Sequence, residues 1–225
     1  MDKLIVLGDT HGRRDWEKII KRETFDKLVF IGDYFDAHEA ITPEQQKDNF
    51  ERIIEIKKQY PEEVVLLFGN HDLHYLIKEH YSGYQEFHAV DIKEMLQKNL
   101  EYLQACYVNE KYLFVHAGIT KTWCKNNKIK GNIAKKVNQL FKDNKEAFGF
   151  KYGDQYNPYG DEICQSPFWV RPYSLRLDRI EGFTQVVGHT IQNHIEIDED
   201  IIFIDALGSR EYLVIKNNLP EVRKY

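Results

Sequence analysis

Carboxylate, imidazole and amide side chains follow short apolar runs at five points in this sequence. The first run, residues 4–7, ends in Gly8-Asp9-Thr10-His11-Gly12, and an Asp and a His two residues apart at a strand end point to one side. The arrangement returns at Gly32-Asp33, Gly69-Asn70-His71, His116 and Gly188-His189. Carboxylate oxygen and imidazole nitrogen suit first-row divalent cations. A single pair is weak evidence, because Asp is also common in turns, but the recurrence predicts a metal site.

Six of these side chains form a ligand set for two divalent ions. We expect Asp33 to bridge the ions, Asp9 and His11 to complete one site, and Asn70, His116 and His189 to complete the other. Two cations against two carboxylates leave a surplus of about two positive charges, which suits hydroxide and phosphate. Mixed oxygen and nitrogen ligands favour manganese, with iron or zinc as alternatives, over calcium or magnesium. Such a centre activates water for in-line displacement at phosphorus.

His71 lies outside this ligand set and adjoins the ligand Asn70. An imidazole at that place can protonate the leaving oxygen, and Asp36 is the natural carboxylate to orient it, with a turn residue as the alternative. Arg171 stands in the apolar, proline-flanked segment 167–172. We expect Arg171 to clamp phosphate oxygens, although a structural salt bridge would also account for it.

The elements that position these residues follow from the apolar pattern. Strands are predicted at 4–7, 27–31, 64–68, 105–108, 112–115, 184–187, 201–204 and 212–215, and helices at 13–21 and 43–60. Thr42 and Pro43 are the expected start of the second helix. The early strand–helix alternation predicts a parallel sheet with functional groups at the carboxyl ends of its strands. Residues 73–103 are predicted to be helical.

The length of 225 residues suits a single domain spanning 1–225, with a helical and loop cap inserted at about 119–170. Residues 119–148 are rich in Lys and Asn and have helical spacing. Residues 151–166 are predicted to be an ordered surface loop that sets specificity through Tyr152, Tyr156 and Tyr159, an ordinary connection being the alternative.

Composition restricts the partners. The chain has 31 Lys and Arg against 36 Asp and Glu, a net charge of −5, which argues against non-specific nucleic-acid binding. Cys106, Cys124 and Cys164 are scattered, so we expect reduced thiols. No apolar run reaches the length of a membrane span, and the first predicted strand leaves no room for a signal peptide. A soluble cytoplasmic protein without a membrane partner is expected.

The ordered motifs resemble those of the calcineurin-like metallophosphoesterases, and the resemblance spans residues 8–190. The chain looks most like the branch of serine/threonine protein phosphatases and symmetrical dinucleoside tetraphosphatases. Ile191 stands where nucleases and cyclic-nucleotide phosphodiesterases of the superfamily usually have a second His. The resemblance implies an α/β fold, a four-layer α-β-β-α sandwich of two mixed β-sheets flanked by helices.

Within that branch the motifs point in two directions. Residues 70–74 and 116–120, with Trp123, resemble the tetraphosphatases, whereas Asp36 matches the protein phosphatases, which use it to orient the catalytic His. Protein phosphatases follow that Asp with a phosphate-binding Arg, and here the position is Ala37. Phosphate binding is therefore expected to fall on Arg171 and on Arg13, which directly follows the first motif.

The expected function is a two-metal phosphoesterase that hydrolyses phosphomonoesters by direct attack of a metal-bridging hydroxide. Its substrate would be a phosphoprotein or a nucleotide. One alternative is a hydrolase of dinucleoside polyphosphates or nucleotide phosphoanhydrides. Another, from a different class, is a catalytically silent binding module, which is disfavoured because every ligand position is filled.

Overall fold

The computed structural model describes residues 3–77, 79–154 and 157–225, and in them eleven strands form two mixed sheets. The strands are β1 (Lys3–Leu7), β2 (Lys27–Phe30), β3 (Val64–Leu67), β4 (Leu103–Gln104), β5 (Cys106–Asn109), β6 (Tyr112–Val115), β7 (Thr184–Val187), β8 (Glu196–Ile197), β9 (Ile201–Phe203), β10 (Glu211–Lys216) and β11 (Leu219–Lys224). The α-helices are α1 (Trp16–Arg22), α2 (Pro43–Gln59), α3 (Asn70–Leu73), α4 (Ala89–Lys98), α5 (Lys121–Asn126), α6 (Ile133–Asp143) and α7 (Pro172–Asp178).

The first sheet has the strand order β11-β10-β1-β2-β3-β4, and the second has the order β5-β6-β7-β9-β8. Strands β1 to β4 run parallel, whereas β10 pairs with β1 antiparallel. In the second sheet β6, β7 and β9 run parallel, with antiparallel β5 and β8 at the edges. The predicted parallel core of β1, β2 and β3 is thus confirmed, and so is the fold of two mixed sheets flanked by helices.

Both faces of the central strands are buried, which explains their continuous apolar runs. Leu4 and Val6 of β1 belong to an apolar cluster with Phe114 of β6, between the two sheets. The alternate residues Ile5 and Leu7 belong to the other cluster, which includes residues of α1 and α2. Since successive side chains of a strand point to opposite faces, this division defines four layers.

Helix α2 begins where the sequence predicts. The Thr42 hydroxyl accepts the backbone N–H of Gln45 at 3.3 Å, and the Gln45 side chain accepts the N–H of Thr42 at 2.8 Å. This capping box satisfies two donors that the first turn would otherwise leave without partners. It also fixes the end of the segment that leads from Asp36 to the helix.

The prediction of a helix over residues 73–103 is wrong for its first half. Helix α3 ends at Leu73, and the next α-helix is α4. Between them Gly83 has φ +87°, which a helix does not allow, and a Cβ on Gly83 would lie 3.1 Å from Cβ of Asp36. The segment turns back toward the polar strand ends instead of continuing as a helix.

Helix α7 and strands β8 and β11 were not predicted from the sequence. Strand β11 is an edge strand with mostly exposed residues and Pro220 within it, so its pattern is weak. Residues 119–148 contain α5 and α6, as their spacing predicts. The described part of 151–166 has no helix or strand, and Tyr156 lies outside the described residues. Phe141 and Phe148 pack into the larger apolar cluster; their assignment to a cap within a single domain stays a prediction.

Cys106, Cys124 and Cys164 are free, as expected. Of the helices in the described ranges, none combines the length and apolarity that crossing a bilayer requires.

Candidate metal and catalytic site

The six predicted ligands meet at the carboxyl ends of β1, β2, β3, β6 and β7. Asp33, His116 and His189 offer ligand atoms that all lie within 4.8 Å of one another, and Asp9, His11 and Asp33 do the same. Asp33 belongs to both groups. A single carboxylate shared by two ligand clusters is the arrangement that a two-ion site requires.

The turns that carry these side chains adopt a left-handed backbone that L-residues rarely occupy. The positive φ angles are His11 44°, Asp33 52°, Asp36 61° and His189 66°. Such strain, which clusters at functional sites, persists only where surrounding contacts hold it. Here the left-handed backbone of the turns directs side chains from separate strands toward one point.

Two glycines let the chain approach the carboxylates. A Cβ at Gly69 would lie 2.0 Å from Oδ1 of Asp33, and one at Gly188 would lie 2.1 Å from Oδ1 of Asp9. No side chain fits at either position. The Gly before Asn70 and the Gly before His189 are therefore required by packing against the carboxylates.

Backbone carbonyls fix the tautomers of two imidazoles. Nδ1 of His11 donates to the carbonyl oxygen of Phe35 at 2.7 Å, and Nδ1 of His116 donates to that of Ile31 at 3.0 Å. Each Nε2 is thereby left as the ligand atom. Nε2 of His116 lies 3.3 Å from Oδ2 of Asp33. Orientation of a histidine through its second nitrogen is typical of metal sites.

The side chain of Asn70 contacts both histidines of the ligand group formed by Asp33, His116 and His189. Its Oδ1 lies 2.9 Å from Nε2 of His116 and 2.9 Å from Nδ1 of His189. Since Nδ1 of His116 carries the proton, neutral His116 and the amide oxygen present lone pairs to each other, and only a proton or a cation between them makes this favourable. Nε2 of His189 is buried and has no hydrogen-bond partner among the described residues. These donors fit a metal ion.

Negative charge is concentrated at the same place. Burial and the neighbouring Asp205 carboxylate raise the pKa of Asp9 well above its usual value. Burial and Asp33 raise the pKa of Asp205 to about 6. Divalent cations would neutralise this cluster. Asp205 was not among the predicted site residues, although it stands just beyond an apolar strand, as the predicted ligands do.

A separate set of hydrogen-bond donors surrounds the carboxylate of Asp36. Nδ1 of His71 donates to Oδ2 of Asp36 at 2.9 Å, while the Tyr75 hydroxyl and the Gln85 amide donate to Oδ1 at 2.5 and 3.0 Å. Burial lowers the pKa of His71, but the carboxylates of Asp33 and Asp36 outweigh burial and raise it. The predicted pairing of His71 with Asp36 is present. Tyr75 and Gln85 were not predicted, because nothing in their spacing relates them to Asp36.

Two further buried residues support these groups. Nε2 of His74, which is buried, lies 2.7 Å from Oδ2 of Asp36, and burial lowers the pKa of His74. Asp72 accepts the backbone N–H groups of Asp33, Tyr34 and Gly69 at 2.8 to 2.9 Å. Asp72 thus ties the turn after β2 to the turn after β3.

The two predicted phosphate-binding arginines lie in different places. Arg171 lines a cavity of about 340 Å³ beside His71 and His189. Its Nε donates to the carbonyl oxygen of Tyr159 at 3.1 Å, and its Nη1 donates to Oγ1 of Thr190 at 3.1 Å. Arg13 does not border this cavity within the described part of the chain. Its guanidinium instead donates to Glu39 at 2.9 Å.

His38, which was not predicted as a site residue, lines the cavity that Arg171 lines, and its ring lies 4.7 Å from that of His11. Its position two residues after Asp36 was available in the sequence as a signal. Tyr152 and Tyr159, which are 65% and 79% exposed, are not among the described lining residues. Stacking of Tyr152, Tyr156 and Tyr159 on a substrate stays a prediction.

The family model of calcineurin-like phosphoesterases matches residues 3–192, and the chain belongs to this family. It is a metal-dependent phosphoester hydrolase. A comparison with curated proteins gives no significant match.

Solved structures show the same fold. A cold-active protein-tyrosine phosphatase of a psychrophilic Shewanella species has a TM-score of 0.69 at 18% identity, over 99% of this chain and 80% of that one. A protein serine/threonine phosphatase from Saccharomyces cerevisiae has a TM-score of 0.60 at 15% identity, over 100% and 80%. A metallophosphoesterase from Sphaerobacter thermophilus has a TM-score of 0.50 at 12% identity, over 100% and 88%.

Proposed function

We propose that this enzyme hydrolyses phosphomonoesters by direct attack of water on phosphorus at a two-ion centre. The observation that carries the proposal is that Asp33 belongs to both ligand groups. The ligands would be Asp9, His11 and Asp33 for one ion, and Asp33, Asn70, His116 and His189 for the other. When bound, the ions, for which we expect manganese, supply charge for the phosphate oxygens and lower the pKa of water to make a nucleophile.

His71 would protonate the leaving oxygen. Its Nδ1 is held by Asp36, so the proton must leave from Nε2. The carboxylates of Asp33 and Asp36 raise the pKa of His71, which favours the protonated imidazole that a proton donor requires. Asp36 orients the ring and stabilises its positive charge, while Tyr75 and Gln85 hold the other carboxylate oxygen.

Arg171 would orient the phosphoryl group. Its Nε and Nη1 are held by protein oxygens, whereas its Nη2 makes no hydrogen bond with a described residue. An arginine fixed in this way keeps a donor available toward the cavity, and it loses little side-chain entropy on binding. This supports the predicted clamp.

The substrate class has two candidates. Two of the similar structures are named as protein phosphatases, which favours a phosphoprotein. A nucleotide or a dinucleoside polyphosphate is favoured by Arg13, which borders a second cavity that four cationic side chains line. We expect the enzyme to act in the cytoplasm, consistent with its free cysteines.

Asp33→Asn tests the two-ion centre, since one change damages both sites. We expect the variant to lose bound metal and nearly all hydrolysis of p-nitrophenyl phosphate, measured by elemental analysis and by absorbance. Asp48→Asn is the control, because Asp48 is half exposed and, among the described residues, pairs with the surface arginines Arg14 and Arg52. Full activity of the wild type in excess chelator, or an Asp33→Asn enzyme that keeps two ions and turns over, would overturn the proposal.

A further inference from the structure

An open groove of about 860 Å³ lies on the surface beside α5, and we refer to it as the lysine groove. It is formed by α5, the turn that follows it, the start of α6 and the connection from α7 to β7. Its described lining residues are Lys121, Cys124, Lys125, Lys128, Ile129, Lys130, Gly131, Ile133, Ile180 and Glu181. None of these residues lines the cavity that Arg171 lines. The lysine groove is therefore separate from the candidate metal and catalytic site.

The groove carries positive charge that the fold does not neutralise. Residues 117–142 contain seven lysines and no Asp, Glu or Arg, in a chain whose net charge is −5. Of the four lysines in the groove, Lys121 pairs with Glu181 at 2.6 Å. The other three are exposed and make no ion pair and no side-chain hydrogen bond with any residue of 3–77, 79–154 or 157–225: Lys125, Lys128 and Lys130. Such a cluster attracts an anionic ligand.

Apolar side chains of the protein core form the floor of the groove. Cys124, Ile129 and Ile180 are at most 9% exposed and belong to the larger apolar cluster. Ile133 is partly buried and packs against the same cluster. Because the floor is part of the core, it is rigid, whereas the lysine side chains around it project into solvent. An aliphatic side chain placed on this floor would be removed from water, which favours binding.

The turn that carries Lys128 has a fixed backbone. The N–H of Lys128 donates to the carbonyl oxygen of Lys125 at 3.2 Å, and the N–H of Ile129 donates to that of Cys124 at 2.8 Å. This is a Schellman motif, in which the residue with positive φ is usually Gly. Lys128 holds that position with φ 56°. A lysine where glycine would fit with less strain indicates that its side chain contributes something other than stability.

The lining residues favour a peptide over other anionic macromolecules. Among the described lining residues there is no Arg and no aromatic residue, which nucleic-acid sites use to bind phosphates and to stack on bases. None of the exposed large apolar side chains in the described ranges lines the groove, so none projects from it to insert into a membrane. An acidic peptide can place carboxylates against the lysines and an aliphatic side chain on the floor at the same time.

We propose that the lysine groove is a docking site for an acidic segment of a partner protein. An aliphatic side chain of that segment packs on the apolar floor, and the Asp or Glu residues on either side of it pair with Lys125, Lys128 and Lys130. This inference goes beyond the proposed function, since the groove and the two-ion centre have no described lining residue in common. The partner is held at a surface that takes no part in hydrolysis.

Binding of labelled peptides to the whole chain, measured by fluorescence anisotropy, tests this inference. One probe has two leucines flanked on both sides by glutamates, and the other has serines in place of the leucines. We expect the wild type to bind the serine probe about tenfold more weakly than the leucine probe, because the floor then stays exposed to water. We expect Lys125→Gln/Lys128→Gln to bind the leucine probe about tenfold more weakly than the wild type does.

Lys135→Gln/Lys142→Gln is the matched control. It makes the same change in net charge at two exposed lysines of α6 that are not among the described lining residues of the groove. Its affinity for the leucine probe should stay within about twofold of that of the wild type. Hydrolysis of p-nitrophenyl phosphate should be unchanged in both double variants, so the outcome is independent of the proposed function.

Lys128→Gly separates loss of the cation from loss of the fold. Glycine fits the left-handed backbone of the turn, so we expect a Tm no lower than that of the wild type, together with weaker binding of the leucine probe. Thermal melting and anisotropy measure the two effects. A variant that binds the leucine probe as tightly as the wild type would contradict the role of Lys128.

Equal affinity of the wild type and Lys125→Gln/Lys128→Gln for the leucine probe would overturn the inference. So would an equal loss in the matched control, since the effect would then be general electrostatics, or equal affinity of the wild type for the two probes, since the floor would then have no role. A duplex oligonucleotide or anionic lipid vesicles that bind more tightly than the leucine probe, and lose binding in Lys125→Gln/Lys128→Gln, would assign the groove to nucleic acid or to a membrane instead.

Discussion

Both carboxylate oxygens of Asp36 accept hydrogen bonds, and each accepts them from different residues. Oδ2 accepts the N–H of His71, whereas Oδ1 accepts from Tyr75 and Gln85. A carboxylate held by two donors on one oxygen cannot rotate away from the imidazole. Tyr75 and Gln85 therefore help to set the orientation of the His71 ring through Asp36, while the backbone N–H of His71 donates to Asp33 at 2.9 Å.

His71→Asn should separate proton donation from metal binding. We expect turnover of alkyl phosphates to fall by roughly a hundred- to ten-thousandfold while both ions remain, because the leaving oxygen loses its proton donor. The loss should be smaller for p-nitrophenyl phosphate, whose leaving group is acidic. Kinetics with both substrates, together with elemental analysis, check this. Loss of a metal ion from the variant would assign His71 to the ligands instead.

Tyr75→Phe should act through Asp36. Removing one donor to Oδ1 is expected to lower turnover of alkyl phosphates about tenfold, equivalent to about 1.4 kcal/mol of barrier, at unchanged Michaelis constant. The effect should again shrink for p-nitrophenyl phosphate. Tyr84→Phe is the control, because the Tyr84 ring stacks on Tyr75 at 4.9 Å and its hydroxyl is not among the donors to Asp36. If both substrates lose activity equally, Tyr75 has only a structural role.

At the scale of elements, the strand ends were predictable and the connections were not. Apolar runs mark β1, β2 and β3 because both sheet faces are buried, and Gly-Asp or Gly-Asn follows each of them. The sequence of segment 74–88 has no comparable apolar run. Its conformation depends on Gly83 and on contacts of Tyr75 and Gln85 with Asp36, which is remote in sequence. Such long-range contacts leave no local pattern.

Glu23 joins the end of α1 to the first sheet. Burial alone would raise its pKa, but hydrogen bonds from Lys3, Arg223 and Tyr212 together lower the pKa to about 2. Strand β1 supplies Lys3, whereas β10 and β11 supply the other two. The ionised carboxylate therefore connects the first strand of the sheet to its last two.

Glu23→Gln should destabilise the fold by about 1.5–3 kcal/mol at neutral pH, because it removes charge-assisted hydrogen bonds. Since the folded pKa lies below the ordinary glutamate value of 4.5, the contribution of Glu23 is complete above that pH and is lost as pH falls toward about 2. The stability difference between wild type and variant should shrink over that window. Urea unfolding at several pH values measures it, and a difference independent of pH would contradict the prediction.

At the scale of the molecule, the two sheets meet at the site. Asp9, Asp33 and Asn70 follow strands of the first sheet, whereas His116 and His189 follow strands of the second. The sequence predicts which residues end strands, but not which strands share a sheet. Strands β4 and β5 belong to different sheets although only one residue lies between them, so proximity in sequence does not indicate which sheet a strand joins. The cavity that Arg13 and Arg210 line together was equally unpredictable, since these two residues are almost the whole chain apart.

Ions held by ligands from both sheets should cross-link them, so metal binding should stabilise the whole fold. At an Mn²⁺ concentration of about a hundred times the dissociation constant, linkage adds about 2.7 kcal/mol, or a rise of about 5–10 °C in Tm for a chain of this size. Calcium should give a smaller rise, because it prefers all-oxygen ligands. Thermal melting with each ion measures this, with Asp48→Asn expected to keep the shift and Asp33→Asn to lose it. An equal shift in Asp33→Asn would mean that the ions stabilise the protein at another place, and the two sheets would then not be joined through this centre.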